Sequence, residues 1–501
     1  MTSKAIVIGS GIAGIAASVR LRALGYEVEV FEAYHKPGGK LQEFLLEGYR
    51  FDAGPSLFTL PHLVDELFEL GGEDPKDHFH YLKKNQVCHY FWENGKRFQA
   101  PADIEAFASS AAKTFNEPKR NILKYISKNS AKYHLTAPLF IEKSLHRLST
   151  FFNRQALKAV LQLRQLNIFS NLHQLNKRHF KSKELVQLFD RYATYNGSSP
   201  YQTSGIMSMI PHLEMDIGTF FPLGGMYRIT ESLCGLAERM GVQFHFSSPV
   251  ERILVNQGKA DGIVLASGEK READLIVSNM DVFSTYHRLL TDQPKPKRIL
   301  NQERSCSAII FYWGVRKEFE ELDLHNIIFS EDYRGEFEHI FKKKDLHPDP
   351  TVYINITSKH NASDAPAGCE NWFVLINAPY NDGQDWNELV DRCRNNVIKK
   401  VNRVLGVDLA SLIEVEVVLD PREIESRTSS YKGALYGTSS NSMFSAFWRH
   451  PNFKRSISNL YFCGGSVHPG GGIPLCLNSA KIVGNMVAEA RGEHFSSAIT
   501  H

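Results

Sequence analysis

Ala5-Ile6-Val7-Ile8-Gly9-Ser10-Gly11-Ile12-Ala13-Gly14 is an apolar run that ends in three closely spaced glycines. A helical stretch follows, and then a second strand from Glu27 to Glu32. Strand, glycine turn, helix and a strand ending in an acid form the entrance of a Rossmann-type dinucleotide site. Gly9 allows the sharp turn, Gly11 carries no side chain to block a pyrophosphate, and Gly14 lets the helix pack close to the strand. The helix N-terminus, with Ser10, Ile12 and Ala13, faces the phosphates. Glu32, followed by Ala33, stands where a carboxylate accepts ribose hydroxyls.

Outward from this unit the glycines continue. Lys36-Pro37-Gly38-Gly39-Lys40 comes next, and then Gly48 to Asp52-Ala53-Gly54-Pro55-Ser56. A nicotinamide domain proceeds directly to another helix and strand. Here backbone is brought up repeatedly, as along a long, rigid ligand. These residues resemble the flavin-binding amine oxidase and carotenoid desaturase superfamily, whose members open with this fingerprint, an acid and a Gly-Gly-Arg or Gly-Gly-Lys element. The resemblance implies noncovalently bound FAD, with Gly39, Lys40, Gly54, Pro55 and Ser56 beside it.

The chain of 501 residues, 43% hydrophobic, is long enough for two domains or one elaborated domain. Its seven cysteines contain no CxxC pair, so neither a metal site nor a disulfide framework is expected. With Met1-Thr2-Ser3-Lys4 leading straight into the first strand, no signal peptide is expected. No run approaches the roughly 20 apolar residues of a spanning helix. A net charge of +3 names no polyanionic partner, and no nucleic acid is expected.

Residues 1–100 are expected to form the first part of the FAD-binding domain. Past Pro101 the pattern becomes helical, and residues 101–223 are expected to be an inserted helical domain. Between Lys143 and Lys183 stand nine Lys or Arg and no Asp or Glu, with apolar residues at helical spacing. Such a face suits either an anionic membrane surface or a solvated basic exterior. Tyr192 to Pro222, with Met207, Met209, Met215, Phe220 and Phe221, suits an apolar wall or ordinary core. At Gly224 the alternation of helix and strand returns, so residues 224–300 are expected to be a second part of the FAD domain, with Val250 at the adenine by resemblance. Strands then dominate residues 301–449, an antiparallel substrate-domain sheet, and 450–501 complete the FAD domain. The fold class expected is α/β, α+β overall.

Leu460-Tyr461-Phe462-Cys463-Gly464-Gly465-Ser466 is a strand entering a glycine turn, and Val467-His468-Pro469-Gly470-Gly471-Gly472-Ile473-Pro474 precedes a final helix. Amides at such a helix start stabilise negative charge on a reduced flavin. This segment is similar to the C-terminal signature of bacterial carotenoid desaturases, and Gly465, Ser466, Gly472 and Ile473 are implied to meet the flavin. Ser466 stands where many relatives carry Asp or Thr. Leu475-Cys476-Leu477 after Pro474 leans toward the branch that makes a 3,4 double bond in 1-hydroxycarotenoids. That resemblance implies a carotenoid substrate, a peripheral place on the inner face of a membrane and hydride transfer to FAD. His468, the titratable side chain of the closing motif, is the candidate proton acceptor, or a histidine bonded to nearby backbone. Phytoene desaturation, redox-neutral isomerisation and non-catalytic carriage of an isoprenoid chain are the alternatives.

Overall fold

The computed structural model describes residues 3–147, 150, 166–442, 448–493 and 495. Its first elements are strand β1 (Lys4–Ile8), helix α1 (Ile12–Ala23) and strand β2 (Glu27–Phe31). In β1, Ala5 and Val7 enter one core while Ile6 and Ile8 enter another. A strand buried on both faces belongs in a parallel sheet covered on each side. β1 pairs in parallel with β2, Val7 opposite Val30, and with Leu275–Ser278, Ile6 opposite Ile276. Among the described residues this sheet has nine strands, drawn from residues 4–31, 243–278 and 453–462. α1 and the last helix, Ile473–Ala490, share one core, and Gly484 lets the last helix approach Arg20. The C-terminal end of β1 is therefore the crevice of the sheet, where ligands of such folds bind.

A second sheet of seven strands, largely antiparallel, runs in the order Ile413–Leu419, Ser307–Val315, Glu370–Ala378, Val352–Ile356, His325–Ile328, Gln86–Phe91 and Arg97–Pro101. Trp313 and Trp372 lie in the core that this sheet forms with helix Trp386–Leu405. The hairpin Gln42–Leu46 and Tyr49–Ala53 packs Phe44 and Phe51 against Tyr312 of Ser307–Val315. The molecule is thus a mixed α/β protein, as its sequence leads one to expect.

The strands of the second sheet do not follow the order of the chain. The hairpin Gln86–Phe91 and Arg97–Pro101 precedes the helical region, yet it joins the seven-stranded sheet through parallel pairing of Gln86–Phe91 with His325–Ile328. Burial explains this. Phe91 enters the core of Trp313 and Ile328, whereas Tyr90, Trp92 and Phe98 enter the helical core with Phe107, Phe115 and Phe189. Only a strand between two covered faces satisfies both sets.

The helical region contains Ile104–Phe115, Lys119–Phe140, Leu172–His179 and Lys183–Asp190. Side-chain oxygens of Asp103, Asn171 and Ser182 cap three of them. Of the basic stretch Lys143 to Lys183, residues 148–149 and 151–165 lie outside the described residues. Lys177, Arg178, Lys181 and Lys183 are exposed, as are Lys119, Arg120, Lys124 and Lys128 on the neighbouring helix. Of the apolar segment, Met215 and Phe221 are core, while Met207 and Phe220 are only partly covered.

The helical core also holds a charge pair. Arg191 donates to both oxygens of Glu214, at 2.8 and 3.0 Å, and to the hydroxyls of Tyr90 and Tyr195. Tyr195 in turn donates to Glu214 at 2.8 Å. Arg191 is 6% and Glu214 2% exposed, so removing one partner strands a buried charge. Glu214→Leu should destabilise the protein by about 3–5 kcal/mol. A thermal melt with a clearly lowered midpoint is the expected result, and an unchanged midpoint would contradict the pairing.

Candidate functional site

The site begins where β1 ends. Gly9 has φ +95°, a conformation that side chains resist. A Cβ on Gly11 would stand 2.6 Å from Oδ1 of Asn279, and one on Gly14 would overlap the carbonyl oxygen of Gly9. Ser10 donates from its amide at 2.7 Å and its hydroxyl at 2.8 Å to Oε2 of Glu32, whose Oε1 accepts the amide of Tyr34 at 2.9 Å. A carboxylate has about four lone-pair positions, so Glu32 retains capacity for a ribose hydroxyl. Glu32 and Tyr34 also hold residues 247–248 by backbone bonds, Ser248 donating to Glu32 at 2.8 Å, which brings the start of Val250–Asn256 to the same place. Ala33 is exposed beside it.

The second glycine pair closes on the first turn. The Gly38 amide donates to the Ser10 carbonyl at 2.9 Å, and a Cβ on Gly39 would stand 3.3 Å from Cα of Gly11. Lys40 turns away and donates to the carbonyls of Leu435 at 2.9 Å and Ala434 at 3.2 Å, its pKa lowered by burial. A Cβ on Gly54 would overlap the Lys40 carbonyl, so the Gly54-Pro55-Ser56 turn is pressed onto the same segment. Ser56 Oγ lies 2.8 Å from the hydroxyl of Tyr353.

The closing motif arrives from the other side. Asn279 bonds through Nδ2 to the Cys463 carbonyl at 3.2 Å, joining the first and last glycine turns. Ser466 Oγ accepts the Val282 amide at 2.9 Å, so this hydroxyl caps a neighbouring turn. A Cβ on Gly465 would stand 3.2 Å from Cα of Gly471, and one on Gly471 2.8 Å from Cα of Tyr436. At Gly472, φ +101°, an added Cβ would meet no protein atom within 4 Å. The last helix starts at Ile473 without a side-chain cap, as α1 starts at Ile12 after Gly11. Both helix starts therefore offer backbone amides to a ligand. Arg449 lies under the turn, 3.2 Å from a Cβ on Gly470, and donates to the carbonyls of Tyr436 and Thr438 at 3.2 and 3.0 Å; burial pushes its pKa down to about 10.

These features fit a flavin dinucleotide: an acid for the ribose, a side-chain-free turn for the pyrophosphate, and a second uncapped helix with open space beside Gly472. His468 is different. It is 1% exposed, its Nε2 donates to the Lys143 carbonyl at 2.8 Å, and burial pushes its pKa down to about 3. This is the geometry of a histidine that fastens the closing turn to residue 143, and no proton transfer is assigned to it. Two residues outside the expected set matter here. Asn279 ends the strand beside β1, where a polar residue after an apolar run is the signal; Arg449 leaves no local one. Among the described residues no cluster suits a metal ion, and the seven cysteines are free thiols.

Comparison with known proteins adds three findings. Residues 12–485 match the family described as flavin containing amine oxidoreductase. The chain is 55% identical over 484 residues to a 1-hydroxycarotenoid 3,4-desaturase of Flavobacterium sp. (strain P99-3), covering 97% of this chain and 99% of the relative. It is 29% identical over 518 residues to a phytoene desaturase of Fusarium fujikuroi, covering 97% and 89%. Among solved structures, putrescine oxidase bound to putrescine shares the fold with a TM-score of 0.61 at 15% identity, over 98% of this chain and 99% of that one.

Glu32→Ala should weaken retention of FAD about tenfold or more, because charged hydrogen bonds contribute about 1.5–3 kcal/mol each. Glu32→Gln, which can still accept from Ser10, should lose less. Flavin absorbance after dialysis measures both, and equal occupancy in Glu32→Ala and parent would refute the role of the acid.

Proposed function

The chain belongs to the flavin-containing amine oxidoreductase family, and from that premise we propose that it is an FAD-dependent carotenoid desaturase forming the 3,4 double bond of a 1-hydroxycarotenoid. The observation that carries this reading is 55% identity along nearly the whole of both chains to a desaturase of that name, against 29% to a phytoene desaturase. The chemistry of the site supports it. Forming C=C beside a polyene removes a hydride and a proton, and the bound flavin supplies the hydride acceptor. The protein's part is position, dryness and a favourable field.

The residues of the closing turn supply that field. The free amides at Ile473 and the guanidinium of Arg449 bring positive potential to the space beside Gly472. Lys40 clamps residues 434–435 against the Gly39 turn and keeps that wall in place. Phe44, Phe51, Tyr312 and Phe373 pack into an apolar core between the Tyr49–Ala53 hairpin and the seven-stranded sheet. Gly9, Ser10, Gly11, Ile12, Ala13, Gly14, Glu32 and Ala33 are assigned to the adenosine and pyrophosphate side with Val250. Gly39, Lys40, Gly54, Pro55, Ser56, Gly465, Ser466, Gly472 and Ile473 are assigned to the flavin side.

Carotenoids dissolve in hydrocarbon, so the enzyme draws its substrate from a membrane. We assign the contact to the basic face of the helical region, on the cytoplasmic side. Exposed Lys124, Lys128, Lys177, Arg178, Lys181 and Lys183 support this, together with Phe169, which is 78% exposed. No helix among the described residues is long and apolar enough to cross a membrane. Each basic side chain near an anionic leaflet contributes about 1 kcal/mol.

Two experiments test these assignments. Anaerobic incubation with a 1-hydroxycarotenoid should give a product two hydrogen atoms lighter and red-shifted, read by chromatography and mass. Desaturation of phytoene with the hydroxylated substrate untouched would reject the branch, and a change of geometry without a new double bond would favour isomerisation. Replacing Lys177, Arg178, Lys181 and Lys183 with Gln should lower cosedimentation with anionic liposomes and reduce its sensitivity to salt; parental sedimentation would remove the membrane assignment.

A further inference from the structure

A 1-hydroxycarotenoid places a polar group very near the reacting bond. The hydroxyl is on C1, and a single methylene separates C1 from C3. Whatever holds this hydroxyl therefore lies close to the flavin face, in a wall that is otherwise apolar. A buried hydroxyl without a partner gives up its hydrogen bonds to water and regains none, so the wall needs a polar break.

Such a break is present at Ser56. Its Oγ lies 2.8 Å from the Tyr353 hydroxyl, which lies 2.8 Å from Nδ1 of His325. Tyr353 is only partly covered, and it borders both the helical core and the aromatic face under the Tyr49–Ala53 hairpin. It thus stands where the two apolar regions meet, with Ser56 at the turn pressed onto the Gly39-Lys40 segment.

The direction of this relay follows from one amide. Asn355 Nδ2 donates to the Leu324 carbonyl at 2.9 Å, which fixes the orientation of the side chain. The same Nδ2 is 3.3 Å from His325 Nδ1, so that ring nitrogen is an acceptor. His325 is 4% exposed and burial pushes its pKa down to about 3, so the ring is neutral; an accepting Nδ1 puts the ring proton on Nε2, which is buried without a hydrogen-bond partner. Nδ1 then accepts from Tyr353, whose only proton is committed there. Ser56 must donate to the Tyr353 oxygen. Its own proton is thereby spent, and the free lone pairs of Oγ are left as acceptors.

We infer that Ser56 Oγ, oriented by Tyr353 and His325, accepts the terminal hydroxyl of the substrate and selects a hydroxylated end group over a hydrocarbon one. The inference rests on the hydroxycarotenoid reading given above. Ser56 is the contacting residue; Tyr353 and His325 are positioning residues. An incoming hydroxyl donates to Ser56, whereas an unhydroxylated end leaves that acceptor dry and unpaired, which is how a polar site rejects an isostere.

The test is the ratio of kcat/KM for a 1-hydroxylated carotenoid to that for its unhydroxylated counterpart with the same polyene. Tyr353→Phe frees the Ser56 hydroxyl to turn and should lower the ratio about five- to tenfold, the range of one hydrogen bond. Ser56→Ala should lower it at least as far, and Ser56→Thr, which keeps the hydroxyl, should stay near the parent. A thermal melt of each variant reports whether the fold is intact, and general damage would lower both rates and leave the ratio alone. A parent that favours the hydroxylated substrate with variants that keep its ratio would overturn the subsite and leave the desaturase reading standing. A parent indifferent to the hydroxyl overturns the subsite alone, and one that acts only on phytoene overturns both.

Discussion

Close approach of backbone at the end of β1 is the constraint on which the rest of the structure depends. Gly11, Gly14 and Gly39 each lack a Cβ that would strike Asn279, the Gly9 carbonyl or Gly11 itself. Asn279 fills the space they leave and bonds onward to Cys463. Four segments far apart in the chain thereby converge on one crevice. The free amides of two helices then point into it, because neither helix has a side chain to cap it.

The two sheets divide the labour. The nine-stranded sheet presents backbone dipoles, which suit a charged dinucleotide. The seven-stranded sheet presents aromatic side chains, which suit a hydrocarbon. In the apolar half Arg191 is paired with Glu214, whereas Arg449 and Lys40 near the closing turn donate to carbonyls.

Local pattern made much of this legible. The dinucleotide unit is a short-range signal, since strand, turn and helix lie within one stretch, and the closing turn is equally compact. Other features had no local signal. Asn94-Gly95 is a local turn signal, but only the burial of Phe91 and Tyr90 on opposite faces decides which sheet receives the strands beside it. His468 sits in a conspicuous motif, and its partner is a carbonyl at residue 143, which no spacing reveals. Ser56, His325 and Tyr353 belong to three separate segments, and what joins them is strand register, His325 opposite Asn355.

The order of strands in the larger sheet bears on how the chain is made. Ile457–Phe462 pairs with Leu275–Ser278, and the turn after it faces glycines at the start of the chain. A chain emerging from the ribosome therefore carries β1 and Leu275–Ser278 with one edge unpaired until residues 457–462 have been synthesised. Contacts of such large sequence separation form slowly, and an unsatisfied apolar edge invites association with other chains. The architecture that joins the first glycine turn to strand Ile457–Phe462 through Asn279 and Leu275–Ser278 thus makes synthesis the period of greatest vulnerability, when chaperones matter most.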